Sequence, residues 1–388
     1  MSRQRTLLCV SNFPSGTGYA WNFIESLYAG LSDRMHARGI PTFVAYPALQ
    51  RSPTALNGST ARPIEAAFRL HDPAGVARSC ALVRRLDAGV LYLSDRPAWH
   101  VAYPLLRASG VRRIIVHDHI SGERTRPSGV RRRIKRARNA LPGALADQVL
   151  AVSDFVARRK MDVDLVPGSR IQTIWNSLEM PPVVDDAPGT RSHAIRRELG
   201  IAPSRTLIAC ACRASPPKGL DHLFRAFDRL VSGDPSPSRP ALVYAGDGPA
   251  LDDLRSLRAR LAACEDIHIL GYRDDAADLL GAADFAVVPS TWAEAFGLAA
   301  LEPMSRGRPV IASRTGGLPE IVLDGETGLL VEPGDETALM TAMRDLAQDP
   351  ERRDRMGRSA RRRALELFSR DRQLDRLEEL VLRGFEPG

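Results

Sequence analysis

Two acidic side chains and a glycine turn stand close together in the last third of the chain. Glu294 and Glu302 are eight positions apart, with Gly297 and Leu298 between them. Residues 283–289 precede them and have the length and apolar content of a buried parallel strand. In one continuous helix the carboxylates would lie about 80° apart around the axis and about 12 Å apart along it. With Glu294 in a loop and Glu302 in the first turns of a following helix, both can turn into one cleft.

The turn between these carboxylates also suits an anion. Backbone N–H groups at the start of a helix lack intrahelical partners, and the helix dipole favours negative charge there. Gly297 and Leu298 would supply such N–H groups. Hydroxyl-binding carboxylates beside a diphosphate-binding turn predict a site for a nucleotide sugar.

The run from Glu294 to Glu302 resembles the E-x7-E motif of the retaining glycosyltransferases of the GT-B fold, family 4. The similarity is close over residues 283–335 and looser over nearly the whole chain. Pro303 departs from the pattern, because the family usually has alanine there and a proline deletes a helix N–H outside the first turn. Three downstream segments are similar to the rest of the family's C-terminal core: 307–312, 316–322 and 324–331.

The resemblance implies an α/β fold of two Rossmann-like, doubly wound domains that face each other across a cleft. Residues 1–185 would form the N-terminal, acceptor-side domain and residues 186–368 the C-terminal, nucleotide-sugar-binding domain. Residues 369–388 would form a C-terminal helix that crosses back to the N-terminal domain. The implied reaction moves a sugar from a nucleotide sugar to an acceptor hydroxyl with retention of anomeric configuration, in assembly of a bacterial glycan, lipopolysaccharide or glycolipid.

The same resemblance implies roles for the carboxylates and for two basic residues. Glu294 would hydrogen-bond the transferred sugar as a catalytic residue, and Glu302 would hold the ribose of the donor. Arg213 and Lys218 flank a loop after an apolar run. Two basic residues in a loop are more often plain surface. However, the family pattern of Arg, a short Ser/Pro loop and Lys-Gly implies that this pair stabilises the departing diphosphate.

Further candidates for donor binding lie at strand-to-helix turns. Glycines there let a ligand approach the backbone closely, although a plain tight turn is the alternative for Gly16 and Gly18. By resemblance, Gly248 would shape the donor pocket, and Gly271 with Tyr272 would lie near the nucleotide base. The donor-binding residues are thus predicted to be Gly16, Gly18, Arg213, Lys218, Gly248, Gly271, Tyr272, Phe296, Gly297, Leu298 and Glu302.

The sequence His117-Asp118-His119 follows the predicted strand 113–116. A metal site would need more ligands than these three residues supply. A histidine at this strand end could instead be structural, or it could be catalytic and face the substrate. The resemblance favours the catalytic role for His117, because the family usually has a histidine there near the transferred sugar.

Three more polar positions have simpler interpretations. Ser153 is predicted to cap a helix, and Asn176 resembles the asparagine that closes the N-terminal domain in the family. Asp162 and Asp164 form a D-x-D sequence, which in the GT-A fold binds a metal and a nucleotide diphosphate. Because the pair follows a polar helix and not a buried strand, we predict a solvated loop.

Composition limits the class of protein. The 388 residues fit two domains of ordinary size, with 44% hydrophobic and 26% charged residues. No run reaches the ~18 apolar residues that span a bilayer, and the N-terminus lacks the pattern of a signal peptide, which predicts a cytoplasmic protein. The five cysteines are odd in number and scattered, so we predict buried thiols.

Net charge is +8 and unevenly distributed. Residues 107–160 contain fourteen Lys or Arg and four Asp or Glu, and residues 131–138 are the centre of this cluster. Such a cluster favours partners that carry phosphate, among them an anionic membrane contacted through residues 129–141 or a lipid-linked or phosphorylated acceptor. A solvated arginine-rich face is the alternative.

Strand and helix signals alternate along the whole chain, which predicts parallel, doubly wound sheets whose ligands bind beyond the carboxyl ends of the strands. Predicted strands include 7–10, 41–46, 89–93, 113–116 and 148–152, and predicted helices include 21–38, 73–86, 98–109 and 129–141.

With a UDP- or GDP-linked sugar as substrate, this interpretation requires no metal and no cofactor. A GT-B-fold epimerase or phosphorylase is the alternative enzyme. The epimerase would convert free nucleotide sugar without an acceptor, and the phosphorylase would carry a lysine-linked pyridoxal group. Nucleic acid is not an expected partner, because aromatic residues make up 6% of the chain and no recognition module is evident.

Overall fold

The computed structural model describes residues 5–16, 19–50, 52–181, 191–232, 236 and 239–386. Two compact units divide the chain. The first comprises the chain up to Ile120, Arg124–Trp175 and the residues from Asp371 on, and the second comprises Ser121–Glu123 and Asn176–Arg370. The first domain, predicted over residues 1–185, therefore ends at Trp175. Residues 182–190, which contain the predicted boundary between 185 and 186, lie outside the described residues.

The first unit contains one sheet of seven parallel strands in the order β3-β2-β1-β4-β5-β6-β7. Its strands are β1 (Thr6–Val10), β2 (Thr42–Tyr46), β3 (Arg62–Glu65), β4 (Ala88–Ser94), β5 (Arg113–Asp118), β6 (Gln148–Ala151) and β7 (Ile171–Thr173). The helices between them are α1 (Tyr19–Ala37), α2 (Pro73–Leu86), α3 (Tyr103–Ala108), α4 (Gly129–Asn139) and α5 (Asp154–Asp162).

The second unit contains one sheet of six parallel strands in the order β10-β9-β8-β11-β12-β13. Its strands are β8 (Leu207–Ala211), β9 (Ala241–Ala245), β10 (Ile267–Ile269), β11 (Phe285–Val288), β12 (Val310–Ser313) and β13 (Gly328–Val331). Its helices are α6 (Arg191–Glu198), α7 (Leu220–Val231), α8 (Leu251–Arg258), α9 (Ala276–Ala282), α10 (Leu298–Ser305), α11 (Leu318–Ile321), α12 (Glu336–Gln348) and α13 (Pro350–Leu367).

The inner strands of each sheet are buried, which explains why they are nearly continuous apolar runs. In β4 the residues alternate between two cores, with Leu91 and Leu93 in one and Val90 and Tyr92 in the other. This alternation follows from the two-residue period of a strand. The predicted α/β class with two doubly wound parallel sheets is confirmed.

The final helix α14 (Arg370–Leu382) packs on the first unit. Its buried side chains, among them Leu374 and Leu377, share a core cluster with α1. At the edge of this contact the Arg34 guanidinium lies 3.3 Å from Glu378 and also pairs with Asp375. The last helix in sequence therefore completes the core around α1, one of the first elements of the chain.

The predicted strands and helices are mostly found, with two kinds of difference. The short strands β3 and β7 were not predicted, because exposed edge residues such as Arg62 and Glu65 hide their pattern. The helix predicted over 98–109 extends only over Tyr103–Ala108. None of the helices in the described residues is long and apolar enough to cross a bilayer.

Shortening a buried side chain of α14 should destabilise the first unit. Leu377 is fully buried, so Leu377→Ala removes three buried carbon atoms and leaves a cavity, at a cost of about 2–5 kcal/mol in the free energy of unfolding. Urea denaturation measures the loss. Arg372→Ala, an exposed position on the same helix, is the control, and equal midpoints for the two variants would contradict the packing described for α14.

Candidate active site

Loops that follow neighbouring strands meet at the carboxyl edge of the second sheet. Strands β9, β8, β11 and β12 are adjacent there, and the loop after β8 hydrogen-bonds the loop after β11. The N–H of Thr291 donates to the carbonyl oxygen of Pro217 over 3.0 Å. This edge is where ligands of open α/β sheets bind.

Glycines allow these loops to approach one another without side chains between them. A Cβ on Gly219 (φ +64°) would lie 2.1 Å from the carbonyl oxygen of Pro289. A Cβ on Gly248 would lie 2.4 Å from the carbonyl oxygen of Ala214. Both distances are far below contact, so the predicted pocket-shaping role of Gly248 has a steric basis in this chain.

Glu294 is held by side chains from two loops. Its Oε1 accepts from Lys218 Nζ over 2.6 Å and from Ser290 Oγ over 2.7 Å. The lysine comes from the loop after β8 and the glutamate from the loop after β11. Burial alone would lower the pKa of Lys218, but the Glu294 carboxylate raises it above its ordinary value, so the ammonium stays charged.

Backbone contacts fix the segment that carries Glu294. The N–H of Gly317 donates to the carbonyl oxygen of Glu294 over 2.9 Å, and a Cβ on Gly316 (φ +57°) would lie 2.2 Å from that oxygen. The segment Ser121–Glu123, counted with this unit, contacts the same loop. The N–H of Gly122 donates to the carbonyl oxygen of Ala293 over 2.7 Å.

These supporting residues were not predicted as part of the site. Gly316 and Gly317 entered the sequence analysis only because their segment resembles the family's C-terminal core. Nothing in the local sequence of Ser121 and Gly122 predicts a contact with the Glu294 loop. Ser121 Oγ accepts from the N–H of Ala295 over 3.0 Å, and a Cβ on Gly122 would lie 2.3 Å from the ring of Trp292. Only the tertiary fold brings these residues together.

Helix α10 begins at Leu298, directly after Gly297, as the sequence predicts. Gly297 has φ +120°, which favours glycine, and a Cβ there would lie 2.5 Å from Leu318. Pro303 lies inside α10 and is buried, so the helix lacks one N–H and its hydrogen bond. The first N–H groups of α10 lie at the turn between Glu294 and Glu302, and their binding of an anion stays a prediction.

Glu302 lies in the second turn of α10, and its side chain is almost completely buried. Desolvation raises its pKa to about 7, and the nearby Arg306 opposes this only partly. The residue therefore changes charge near neutral pH. Its neighbour Glu294 is instead held beside a cation.

The remaining predicted donor-binding residues of this unit differ in their exposure and in their contacts. Arg213 is exposed, and no ion pair of its guanidinium exists within the described chain. Gly271 (φ +72°) accepts from the N–H of Gly246 over 2.8 Å, and Tyr272 is 68% exposed. Phe296 is buried against Phe368 at a ring distance of 5.6 Å, so only its backbone can contact a ligand.

The predicted residues of the first unit lie at the carboxyl edge of its sheet. Gly16 (φ +74°) follows β1, and Gly18 lies outside the described residues. His117 belongs to β5 itself, which continues through Asp118 beyond the predicted end. Its ring is completely buried, with Nδ1 2.5 Å from Tyr92 Oη, and burial lowers its pKa far below the ordinary value.

This burial corrects the picture of His117 as a side chain open to substrate. The neutral ring is enclosed by Tyr92 and His119, so contact with a substrate requires these neighbours to move. Its catalytic role stays a prediction. His119 Nε2 is also buried, and burial lowers the pKa of this histidine as well.

The predictions on three further kinds of polar residue have mixed outcomes. Ser153 caps α5, because its Oγ accepts from the N–H of Val156 over 3.1 Å. Asp162 pairs with Arg126, but Asp164 is not simply solvated, since its carboxylate lies 3.1 Å from Lys135 and also pairs with Lys160.

Among the described residues, no group of three or more His, Cys, Asp or Glu could hold a metal. Cys9, Cys80 and Cys210 are buried, whereas Cys212 and Cys264 are partly exposed.

Two family models together match most of the chain. The family model described as "Glycosyltransferase Family 4" matches residues 24–179, and the model described as "Glycosyl transferases group 1" matches residues 192–363. The two matches fall on the first and second units respectively, apart from Ser121–Glu123 and Asn176–Glu179, which belong to the second unit.

One relative is similar over most of both chains. A GDP-mannose-dependent alpha-(1-6)-phosphatidylinositol monomannoside mannosyltransferase from Mycolicibacterium smegmatis is 32% identical over 329 residues, 80% of this chain and 81% of the relative. A D-inositol 3-phosphate glycosyltransferase from Corynebacterium efficiens is 37% identical over 170 residues, 42% of this chain and 40% of the relative.

A solved structure shares the fold. The crystal structure of Anabaena HepE in complex with UDP and glucose has a TM-score of 0.77 and 19% sequence identity, and the similarity covers 98% of this chain and 100% of that chain. Together the comparisons favour the predicted glycosyltransferase over the epimerase alternative.

The pKa of Glu302 predicts a pH dependence of stability without ligand. Because the pKa is raised to about 7 from an unfolded value of 4.5, the folded protein binds more protons than the unfolded one between these pH values. Stability should therefore fall as pH rises from about 4.5 to 7, by about 3 kcal/mol. The matched variant is Glu302→Gln, which cannot ionise. Urea denaturation of both proteins should show a difference that grows over this range, and parallel pH profiles would contradict the assignment.

Proposed function

Because the chain belongs to glycosyltransferase family 4, we propose that its second unit binds a UDP- or GDP-linked sugar at the edge where Glu294, Lys218 and helix α10 meet. The enzyme would transfer the sugar to an acceptor hydroxyl with retention of anomeric configuration. The observation that carries this proposal is the contact between Lys218 Nζ and Glu294 Oε1. It joins the loop predicted to hold diphosphate to the loop predicted to hold sugar.

The contact places a cation and an anion side by side, between the expected positions of the diphosphate and the sugar. Lys218 can hold the diphosphate on one side while its neighbour Glu294 accepts hydrogen bonds from sugar hydroxyls on the other. Both observed contacts of the carboxylate use Oε1, so Oε2 can accept from a hydroxyl without displacing Ser290. Two charges paired in advance lose little entropy when the donor binds.

The rest of the donor fits the surrounding residues. The ionised Glu302 would accept from the ribose hydroxyls, which favours donor binding above about pH 7. Exposed Tyr272, beside Gly271, is available to the base. The names of relatives differ on the nucleotide, since one includes GDP-mannose and a structural neighbour was crystallised with UDP, so both remain candidates.

We infer a front-face reaction. The bond between the anomeric carbon and the diphosphate oxygen breaks, the acceptor oxygen bonds to the same face of that carbon, and a leaving phosphate oxygen takes the acceptor's proton. Arg213, Lys218 and the first N–H groups of α10 would stabilise the negative charge that develops on the diphosphate. These groups need no metal, so transfer should continue in excess EDTA.

The acceptor is proposed to be lipid-linked or phosphorylated. Two relatives carry phosphatidylinositol monomannoside and D-inositol 3-phosphate in their names. In this chain, α4 exposes Val130 (70%) and Ile134 (61%), and Leu141 just beyond it is 51% exposed. Val130 and Ile134 are one turn apart on one face, and arginines surround them. A basic amphipathic helix of this kind suits the surface of an anionic membrane.

Substitutions in the donor loops test the transfer mechanism. After a thermal-shift panel of nucleotide sugars identifies the donor, Glu294→Gln should reduce transfer below about 1% and Arg213→Ala should lower kcat about 10²–10³-fold. Steady-state kinetics measure both effects. Arg255→Ala, on the surface of α8, is the charge-matched control. Turnover near the wild-type value in either site variant would refute the assigned roles.

Vesicle sedimentation tests the membrane contact. Binding to vesicles with anionic lipid should be lost in the double variant Val130→Ser and Ile134→Ser, because both apolar side chains leave the interface. Leu365→Ser alters an apolar residue exposed in α13 and should bind like the wild type. If the wild-type protein ignores anionic lipid at physiological salt, the membrane part of the proposal fails.

A further inference from the structure

A cavity of about 220 Å³ lies in the first unit, at the carboxyl ends of β4 and β5 and beneath α4. Its volume is about seven times the ~30 Å³ that one water occupies in the liquid, which suits a small polar group. Seven of the twelve residues that line the cavity are polar or charged. The charged ones are Asp95, Arg96, Arg124, Arg138, Lys160 and Asp164.

The acidic side chains of the lining already have partners. Asp164 pairs with Lys160 and Lys135, and these cations hold its pKa below the ordinary value although burial opposes them. Asp95 Oδ1 accepts from the N–H of His119 over 2.7 Å. The fully buried Asp118 next to the cavity engages Arg159 and Lys160. Asp118 and Asp164 are therefore neutralised by Arg159 and two lysines, without the arginines of the lining.

The arginines and Asn139 offer unused hydrogen-bonding atoms. Nε of Arg96, Nε of Arg138 and Oδ1 of Asn139 are buried, and none of them has a hydrogen-bond partner among the described residues. Arg124 is exposed and forms no ion pair within the same residues. Unsatisfied buried polar atoms are costly and rare in folded proteins. Three side chains of the lining therefore carry unsatisfied polar atoms next to the cavity.

Local contacts hold these side chains in position. The guanidinium of Arg138 stacks on the ring of Trp99 at 4.8 Å. Nη2 of Arg96 donates to the carbonyl oxygen of Phe68 over 3.0 Å, and the amide nitrogen of Asn139 donates to Asp164 and Leu165. The atoms that remain unused are therefore on side chains that are already fixed.

We propose that this cavity binds the phosphate ester of a polyol, with the arginines on the phosphate and Asn139 on a hydroxyl. Guanidinium groups match phosphate oxygens in geometry and charge, whereas an uncharged sugar would leave the excess positive charge uncompensated. As part of the acceptor, which rests on the proposed function, this group would be either a soluble polyol phosphate or the headgroup of a lipid. The cavity thus selects acceptors that carry phosphate.

Thermal shift with sn-glycerol 3-phosphate, compared with glycerol, tests the site. The measurements are made with saturating UDP or GDP and are repeated in the Arg213→Ala background. Both conditions prevent the probe from binding at the donor loops. The phosphate ester should raise the melting temperature saturably, and glycerol at equal concentration should not. Arg124→Gln and Arg138→Gln should each weaken the apparent Kd about tenfold or more. Arg132→Gln removes an equal charge from the exposed face of α4 and should leave the Kd unchanged.

An experiment with vesicles distinguishes a lipid headgroup from a soluble polyol phosphate as the source of the phosphate. Phosphatidylcholine vesicles receive equal negative charge from phosphatidylglycerol or from oleic acid. A preference for phosphatidylglycerol that is lost in Arg124→Gln and Arg138→Gln identifies a lipid headgroup. No preference, with the soluble response intact, identifies a free polyol phosphate. If neither the soluble probe nor the vesicles respond to these two substitutions, the proposal is overturned.

Nucleotide binding separates this result from the proposed function. Both arginine variants should keep the wild-type melting shift with UDP or GDP, which also shows that they are folded. A wild-type protein that responds to the phosphate ester but to no nucleotide would retain the cavity as a binding site and refute the sugar-transfer mechanism.

Discussion

The contact between backbone loops at the carboxyl edge of the second sheet is the constraint on which the candidate site depends. At Gly219, Gly248 and Gly316, a Cβ would lie within 2.4 Å of a carbonyl oxygen of a neighbouring loop. Only chains without side chains at these points can pack so closely. This packing places Lys218 against Glu294, and a side chain at any of the three positions would push these loops apart.

Electrostatics then give the two carboxylates of the site different properties. Glu294 lies next to an ammonium group, while Glu302 is buried in α10 with its pKa raised to about 7. The same residue type is therefore paired with a cation in one place and is a buried, titrating group in the other. Burial and the identity of the nearest cation decide the difference.

In the first unit, too, buried charged side chains differ in whether an opposite charge lies next to them. Its carboxyl edge is rich in charged side chains, and Asp118 and Asp164 are matched by lysines and Arg159. Arg96 and Arg138 are left with buried donor atoms unused. Excess positive charge is therefore found both on the exposed face of α4 and in the lining of the cavity.

The sequence by itself determined the α/β class, most strands and helices, the start of α10 and the turns that bear Arg213, Lys218 and Glu294. These features follow from local periodicity, turn chemistry and spacing, which a chain carries without its fold. Only the tertiary structure decided that Ser121 and Gly122 support the Glu294 loop, that His117 is buried, and that Asp164 pairs with two lysines. The family resemblance implied that the last helix crosses back to the first domain, and the tertiary structure decided that its partner there is α1. Such contacts join residues far apart in sequence, and they depend on which strands become neighbours in each sheet, which no local pattern records.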